Sequence, residues 1–191
     1  IDHHHRIAGK QKENSSLRSV KRISVDIDEE NGVISVENDG EGLDVAKHEK
    51  FGMYVPQVVF GELLTSVNYD KTEERTVGGK NGYGSKITNI FSNEFTIETV
   101  DSKRKLKYTQ TWRKNMTEIG EPVIEKYSKV PYTKITYKPD YERFKVSNPI
   151  VLGDWLLLKK RVYDASACTG AAVTVYLNGE KIGIKNFEDY I

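Results

Sequence analysis

Between Thr76 and Lys86 the chain reads TVGGKNGYGSK, placing four glycines (Gly78, Gly79, Gly82, Gly84), two lysines and one asparagine directly before the apolar-periodic Ile87, Ile90 and Phe91. Glycine lets successive backbone N–H groups turn inward and lets the main chain approach an oxyanion closely. A helix that follows such a loop opens with N–H donors and the positive end of its dipole. The segment therefore has the makings of an anion cradle, with a polyphosphate as its natural guest. Neither common nucleotide motif is met. Gly79 and Gly84 have P-loop spacing, but Ser85 precedes Lys86, the reverse of the P-loop order. The dinucleotide fingerprint GxGxxG is also absent, and no Val/Ile-rich strand feeds straight into the glycines. On its own the cluster reads as a surface loop, so a second element has to decide.

That element is Val36–Leu43, VENDGEGL, downstream of an apparent hairpin formed by Arg22–Asp28 and Val33–Asn38 around a turn with Glu30-Asn31-Gly32. Asn38 stands where a buried strand ends and a Gly-x-Gly turn begins. From there a side-chain carbonyl can accept a hydrogen bond from a base amino group, although Asn-Asp-Gly taken alone is ordinary turn chemistry.

Taken together, the two elements and several further stretches resemble the GHKL ATPase superfamily, specifically the ATPase region of eukaryotic-type (type IIA) DNA topoisomerases. The matching stretches are NDGEGL (38–43), KHEKFGMYVPQVVFGELLTSVNYD (47–70), TVGGKNGYGSKITNIFS (76–92), YTKITYKPD (132–140), KRVYD (160–164) and VYLNGEKI (175–182). The resemblance implies that Asn38 reads the adenine edge, with Thr133 behind it on a neighbouring strand. It implies that Ser66 and Asn68 contact ribose and phosphate, with Val67 where the family usually has a second serine. Lys80, Asn81, Gly82, Tyr83 and Gly84 would form the phosphate loop, and Lys86 would balance phosphate charge.

In that family an active-site helix carries Glu, Asn four residues later, then Ala-x-Asp and Arg. Ile1-Asp2 and Arg6 fit the tail of this pattern. Asp2 and Arg6 are then expected to support the nucleotide, with a frayed terminus as the alternative. The water-polarising Glu and the Mg²⁺-binding Asn are expected before Ile1, so no residue of this chain is assigned a catalytic or metal-binding role. A lysine sensing the γ-phosphate is expected beyond Ile191, in a following transducer domain. The implied reaction is in-line hydrolysis of ATP with Mg²⁺, working through positioning and charge stabilisation. The implied partners are ATP, a second copy in a homodimer and double-stranded DNA, in the nucleus or at a viral replication site. Two competitors stay open: a module that binds ATP without hydrolysing it, and a scaffold that kept the fold and lost the pocket.

The 191 residues suffice for one sizeable core, and the expectation is a single domain. Lys and Arg number 29 against 28 Asp and Glu, a formal charge of +1 that advertises no general affinity for nucleic acid. The single Cys168 excludes an internal disulfide framework and suits a reducing compartment. No stretch resembles a signal peptide or a membrane span, which makes a soluble domain the expectation. His3, His4 and His5 point in different directions on a helix and have no carboxylate or cysteine at ligand spacing. His48, in the charged run Lys47–Lys50, is expected to be solvated. Ser102–Lys107 carries four Lys or Arg in six residues and reads as a solvated hairpin tip ahead of a DNA contact.

These motifs must be positioned by an α/β, antiparallel-leaning framework. Period-2 alternation predicts strands at Glu94–Val100, Leu106–Trp112 and Tyr132–Tyr137, and a closing hairpin at Val173–Leu177 and Lys181–Ile184. Helices are predicted from Pro56 to about Ser66, after the glycine loop, and from about Ser147 or Asn148 to Tyr163. The fold class is thus a two-layer α+β sandwich of the GHKL (Bergerat) kind: a mixed, mostly antiparallel sheet with helices on one face.

Overall fold

The computed structural model describes residues 18–62, 83–146 and 152–191. Their strands are β1 (Arg22–Asp28), β2 (Val33–Asp39), β3 (Ser92–Asp101), β4 (Leu106–Arg113), β5 (Glu118–Ile119), β6 (Val123–Lys126), β7 (Tyr132–Pro139), β8 (Thr174–Leu177) and β9 (Glu180–Lys181). The helices are α1 (Val55–Gly61), α2 (Gly84–Ile90) and α3 (Leu152–Thr169). Among the described residues the strands form one sheet in the order β5-β4-β3-β7-β2-β1-β8-β9, with β6 also on β4. All pairings are antiparallel except β1 with β8.

The register explains the sandwich. Directly opposed residues share a sheet face, so each cross-strand row has one side. Ile27, Ile34, Tyr137, Phe95 and Trp112 make one inner row, and Val25, Val36, Ile135, Ile97 and Gln110 the next. On the opposite face Thr96 and Thr111 share a 2.9 Å hydroxyl contact, and Lys107 pairs with Glu98 at 3.0 Å. One face is therefore apolar and covered, and the other is polar.

Two clusters cover the inner face. Near one edge Trp155 and Val162 of α3 pack with Ile23, Val25, Ile27, Ile34 and Val175. Near the other, Phe60 of α1 packs with Phe95, Ile97, Tyr108 and Trp112, and Tyr137 of β7 touches both groups. Pro56 in the first turn of α1 suits a position whose N–H would have no helical acceptor.

Several boundaries differ from the sequence expectation. Helix α3 runs six residues past Tyr163, to Thr169. Its last turn is held by Ser166 Oγ donating to the Ile184 carbonyl at 2.8 Å, and Gly170 follows at φ +69°, a helix-terminating conformation. The second strand of the closing hairpin is Glu180–Lys181 and does not extend to Ile184. Helix α1 stops at Gly61, short of the expected Ser66, because Glu62 turns to extended backbone (φ −108°, ψ 131°). Residues 63–66 and the predicted start of α3 at 147–148 lie outside the described residues.

Candidate functional site

The inner row closest to the Gly-x-Gly turn departs from the hydrophobic pattern. From β1 to β4 it reads Ile23, Asn38, Thr133, Thr99 and Tyr108, with three neighbouring polar side chains on the face that elsewhere builds the core. The row lies between the two clusters, on the central strands β2 and β7. In the adjacent row Val36, on the inner face, is 37% exposed, so the described helices leave a strip of β2 open here.

Each polar group in the row has a defined role. Asn38 Nδ2 donates to the Asp39 carbonyl oxygen at 2.7 Å. That contact sets the amide's orientation, because the carbonyl can only accept. Asn38 Oδ1 receives no hydrogen bond among the described residues. Thr133 Oγ1 lies 3.0 Å from Thr99 Oγ1, which also accepts the Leu43 backbone N–H at 2.9 Å. Asp39, next along β2, accepts the Lys21 and Arg22 backbone N–H groups at 2.7 and 2.8 Å and so fixes the strand end.

The two glycines of the turn serve different ends. Gly40 has φ +103°, which a side chain would strain. Gly42 lies so close to β3 that a Cβ would fall 1.9 Å from the Val100 carbonyl oxygen. That approach delivers Leu43 N–H to Thr99, and Val45 N–H to Asp101 Oδ2 at 2.8 Å. Asp101 also accepts the Lys103 and Arg104 backbone N–H groups and the Arg104 guanidinium. Burial pushes its carboxyl upward, but the bonds from Arg104 and Val45 outweigh this and hold it below the usual carboxylate range.

On the glycine-loop side, Tyr83 precedes α2 and accepts the Ile87 N–H at its carbonyl, 2.8 Å away. Among the described residues nothing lies within 4 Å of the position where Gly84 would carry a Cβ. Lys86, only 3% exposed, faces inward from the first turn; burial lowers its pKa and the charge of Glu62 opposes that shift. Three residues on, Asn89 Nδ2 donates to the Phe60 carbonyl at 3.1 Å. Because Phe60 packs against Phe95 of the inner face with the rings tilted at 42°, α2 and the Asn38–Thr133 row share one side of the sheet. Strand β3 joins them: it leaves α2 at Ser92 and reaches Thr99 seven residues later, roughly 23 Å along a strand.

Of the site residues expected from the sequence, the structure thus brings Asn38 and Thr133 into direct opposition and places Tyr83, Gly84 and Lys86 at the start of α2. Asp2, Arg6, Ser66, Asn68, Lys80, Asn81 and Gly82 lie outside the described residues, as do His3, His4 and His5. Thr99, Asp101 and Asn89 were not singled out by sequence, since a strand threonine, a turn aspartate and a helix asparagine carry no signal until the register is known. At the basic hairpin tip Arg104 pairs with Asp101 at 2.8 Å and Asp44 at 3.4 Å, and Lys107 also reaches Glu125 at 3.4 Å, in keeping with a solvated tip. His48 is half-buried and not simply solvated: its Nδ1 accepts the Lys50 N–H at 3.2 Å, and its ring lies 5.0 Å from Phe51.

A mixed, mostly antiparallel sheet with its described helices on one face and a polar row in the gap between them defines a GHKL-type α/β fold. The chain is 47% identical over 175 residues to DNA topoisomerase 2 of Penicillium chrysogenum, an alignment that covers 91% of this chain and 11% of that protein. It is 48% identical over 179 residues to DNA topoisomerase 2 of Acanthamoeba polyphaga mimivirus, covering 93% and 14%. The ATPase region of Saccharomyces cerevisiae topoisomerase II superposes with a TM-score of 0.85 at 42% identity, over 97% of this chain and 48% of that one. No family model matches. The chain belongs to the DNA topoisomerase II family, as a part of its ATPase region, and spans only a small fraction of the curated relatives' length.

Proposed function

We propose that the chain binds ATP and that, within a longer type II topoisomerase, ATP binding and hydrolysis close a homodimer and drive passage of one DNA duplex through another. The observation that carries this reading is the side-by-side placement of Asn38 and Thr133. Asn38, anchored through its Nδ2, offers a carbonyl oxygen as acceptor, and Thr133 offers a hydroxyl beside it. Adenine presents an amino donor next to a ring-nitrogen acceptor on its Watson–Crick edge, whereas guanine presents a carbonyl in the amino position. The pair suits adenine, and the open strip beside Val36 leaves room for a base to lie on the sheet.

The triphosphate is assigned to the glycine loop and α2, where Lys86 supplies a cation and the space beside Gly84 permits backbone approach. Lys80, Asn81 and Gly82 complete the loop, and Ser66, Asn68, Asp2 and Arg6 the ribose and phosphate contacts, by resemblance alone. The described residues contain no group of three or more His, Cys, Asp or Glu that could hold a metal ion. No described helix is long and apolar enough to cross a membrane. A nuclear or viral replication site is the proposed location.

Calorimetric titration of the 191-residue chain with MgATP and MgGTP tests the reading. Saturable ATP binding with clear preference over GTP is expected; absence of ATP binding would overturn it. Phosphate release by the longer protein separates hydrolysis from binding alone.

A further inference from the structure

We propose that Thr99, a residue one strand removed from the base, is a positioning residue that sets the purine preference of the site by fixing where the Thr133 hydroxyl proton points. The inference rests on the adenine reading above and deepens it.

Thr99 is fully buried at 0% exposure, and Thr133 is half-buried on the open strip. A threonine hydroxyl has one proton to donate and two lone pairs. One lone pair of Thr99 Oγ1 is taken by the Leu43 N–H at 2.9 Å. Its proton needs an acceptor, because a buried donor left without one costs free energy. The side-chain oxygen within reach is Thr133 Oγ1, at 3.0 Å. With Thr99 donating, Thr133 becomes the acceptor of that bond and its own proton is turned toward the strip. The row then presents an acceptor at Asn38 and a donor at Thr133, in the order that complements adenine. With the bond reversed, Thr133 would offer only lone pairs, and the preference at the ring nitrogen would invert toward the N–H of guanine. The Leu43 N–H biases the choice: it can only donate, so it holds Thr99 Oγ1 as its acceptor and leaves the Thr99 proton free for Thr133. Gly42 makes this possible by letting the turn close on β3.

The test is the ratio of ATP to GTP affinity in the 191-residue chain, measured beside the melting temperature. Thr99→Val keeps the β-branched shape and removes the donor; the ratio is expected to fall about tenfold, the scale of one hydrogen bond. Thr99→Ser restores the donor and is expected to keep the wild-type ratio. A merely structural role would lower the melting temperature and weaken both nucleotides equally, so a Thr99→Val ratio within twofold of wild type overturns the proposal. If the valine variant does not fold, Thr99→Cys keeps the volume with a weak donor: an intermediate ratio supports the proposal and a wild-type ratio overturns it. Wild-type chain that binds no ATP would instead defeat the underlying nucleotide reading, and this inference with it.

Discussion

The side-chain amide nitrogen of Asn89 donates to the backbone carbonyl of Phe60 at 3.1 Å, tying the C-terminal part of α2 to the C-terminal part of α1. Asn89 is 1% exposed, and its Oδ1 has no hydrogen-bond partner among the described residues. Two short helices of seven residues each would be marginal alone. Their mutual tie, and the packing of Phe60 on Phe95 and Trp112, holds the glycine-loop side of the site against the sheet.

Asn38→Ala removes the proposed acceptor for the adenine amino group while leaving the strand pairing with Thr133 intact. ATP affinity is expected to fall by about 1–3 kcal/mol, with native circular dichroism. Calorimetry on the variant and the wild type decides it, and unchanged affinity refutes the assignment.

Lys86→Met should separate stability from binding. Burial depresses the Lys86 pKa, so its charged form is penalised in the fold; that penalty is present below the folded pKa and eases as pH rises toward the unfolded value. A methionine of similar reach avoids the penalty and gives up the attraction of Glu62, two opposed effects, so near neutral pH the melting temperature without nucleotide is expected to change little. ATP affinity is expected to drop roughly tenfold or more through loss of a charge-assisted contact. Thermal melts with and without MgATP check both halves.

Gly42→Ala should cost about 1–3 kcal/mol, because the new methyl group would meet the Val100 carbonyl at 1.9 Å and the backbone has to move. Urea unfolding measures the loss. A stability equal to wild type would show that the turn can shift away from β3 without penalty.

How much of this was legible in the sequence follows from how local each signal is. Strand β1 matches its expected range, Arg22–Asp28, because Ile23, Val25 and Ile27 alternate cleanly and all point to one buried face. The Asn38–Thr133 pairing was expected only through resemblance, and the register realises it. By contrast β5 and β6, of two and four mostly exposed residues, lack a buried stripe and owe their existence to the free edge of β4. Helix α3 outruns its expected end because Ala165 and Ala167 extend it past Tyr163, and Gly170 at φ +69° supplies the stop. Thr99 looks like any strand threonine until β3 and β7 are aligned.

Asp101 makes stability acid-sensitive. Its carboxyl sits below its usual value, so its contribution is fully present above the unfolded pKa of about 4 and is lost as pH falls through the folded value. Asp101→Asn should lower stability at pH 7 by about 1–3 kcal/mol and flatten the acid limb of the stability profile. Urea titrations from pH 7 to 3 measure both effects, and parallel profiles for variant and wild type would contradict the assignment.

Strand β1 is paired on one side by β2, its immediate successor, and on the other by β8; the Ile27 N–H reaches Asn178 Oδ1 at 2.7 Å across 151 residues of sequence. A nascent chain therefore carries β1 with one bare edge until Asn178, 151 residues beyond Ile27, has left the ribosome. Assembly is expected to be slow and to finish at that seam, and truncation ahead of Val173 should yield a sticky, aggregation-prone product in place of a smaller working domain.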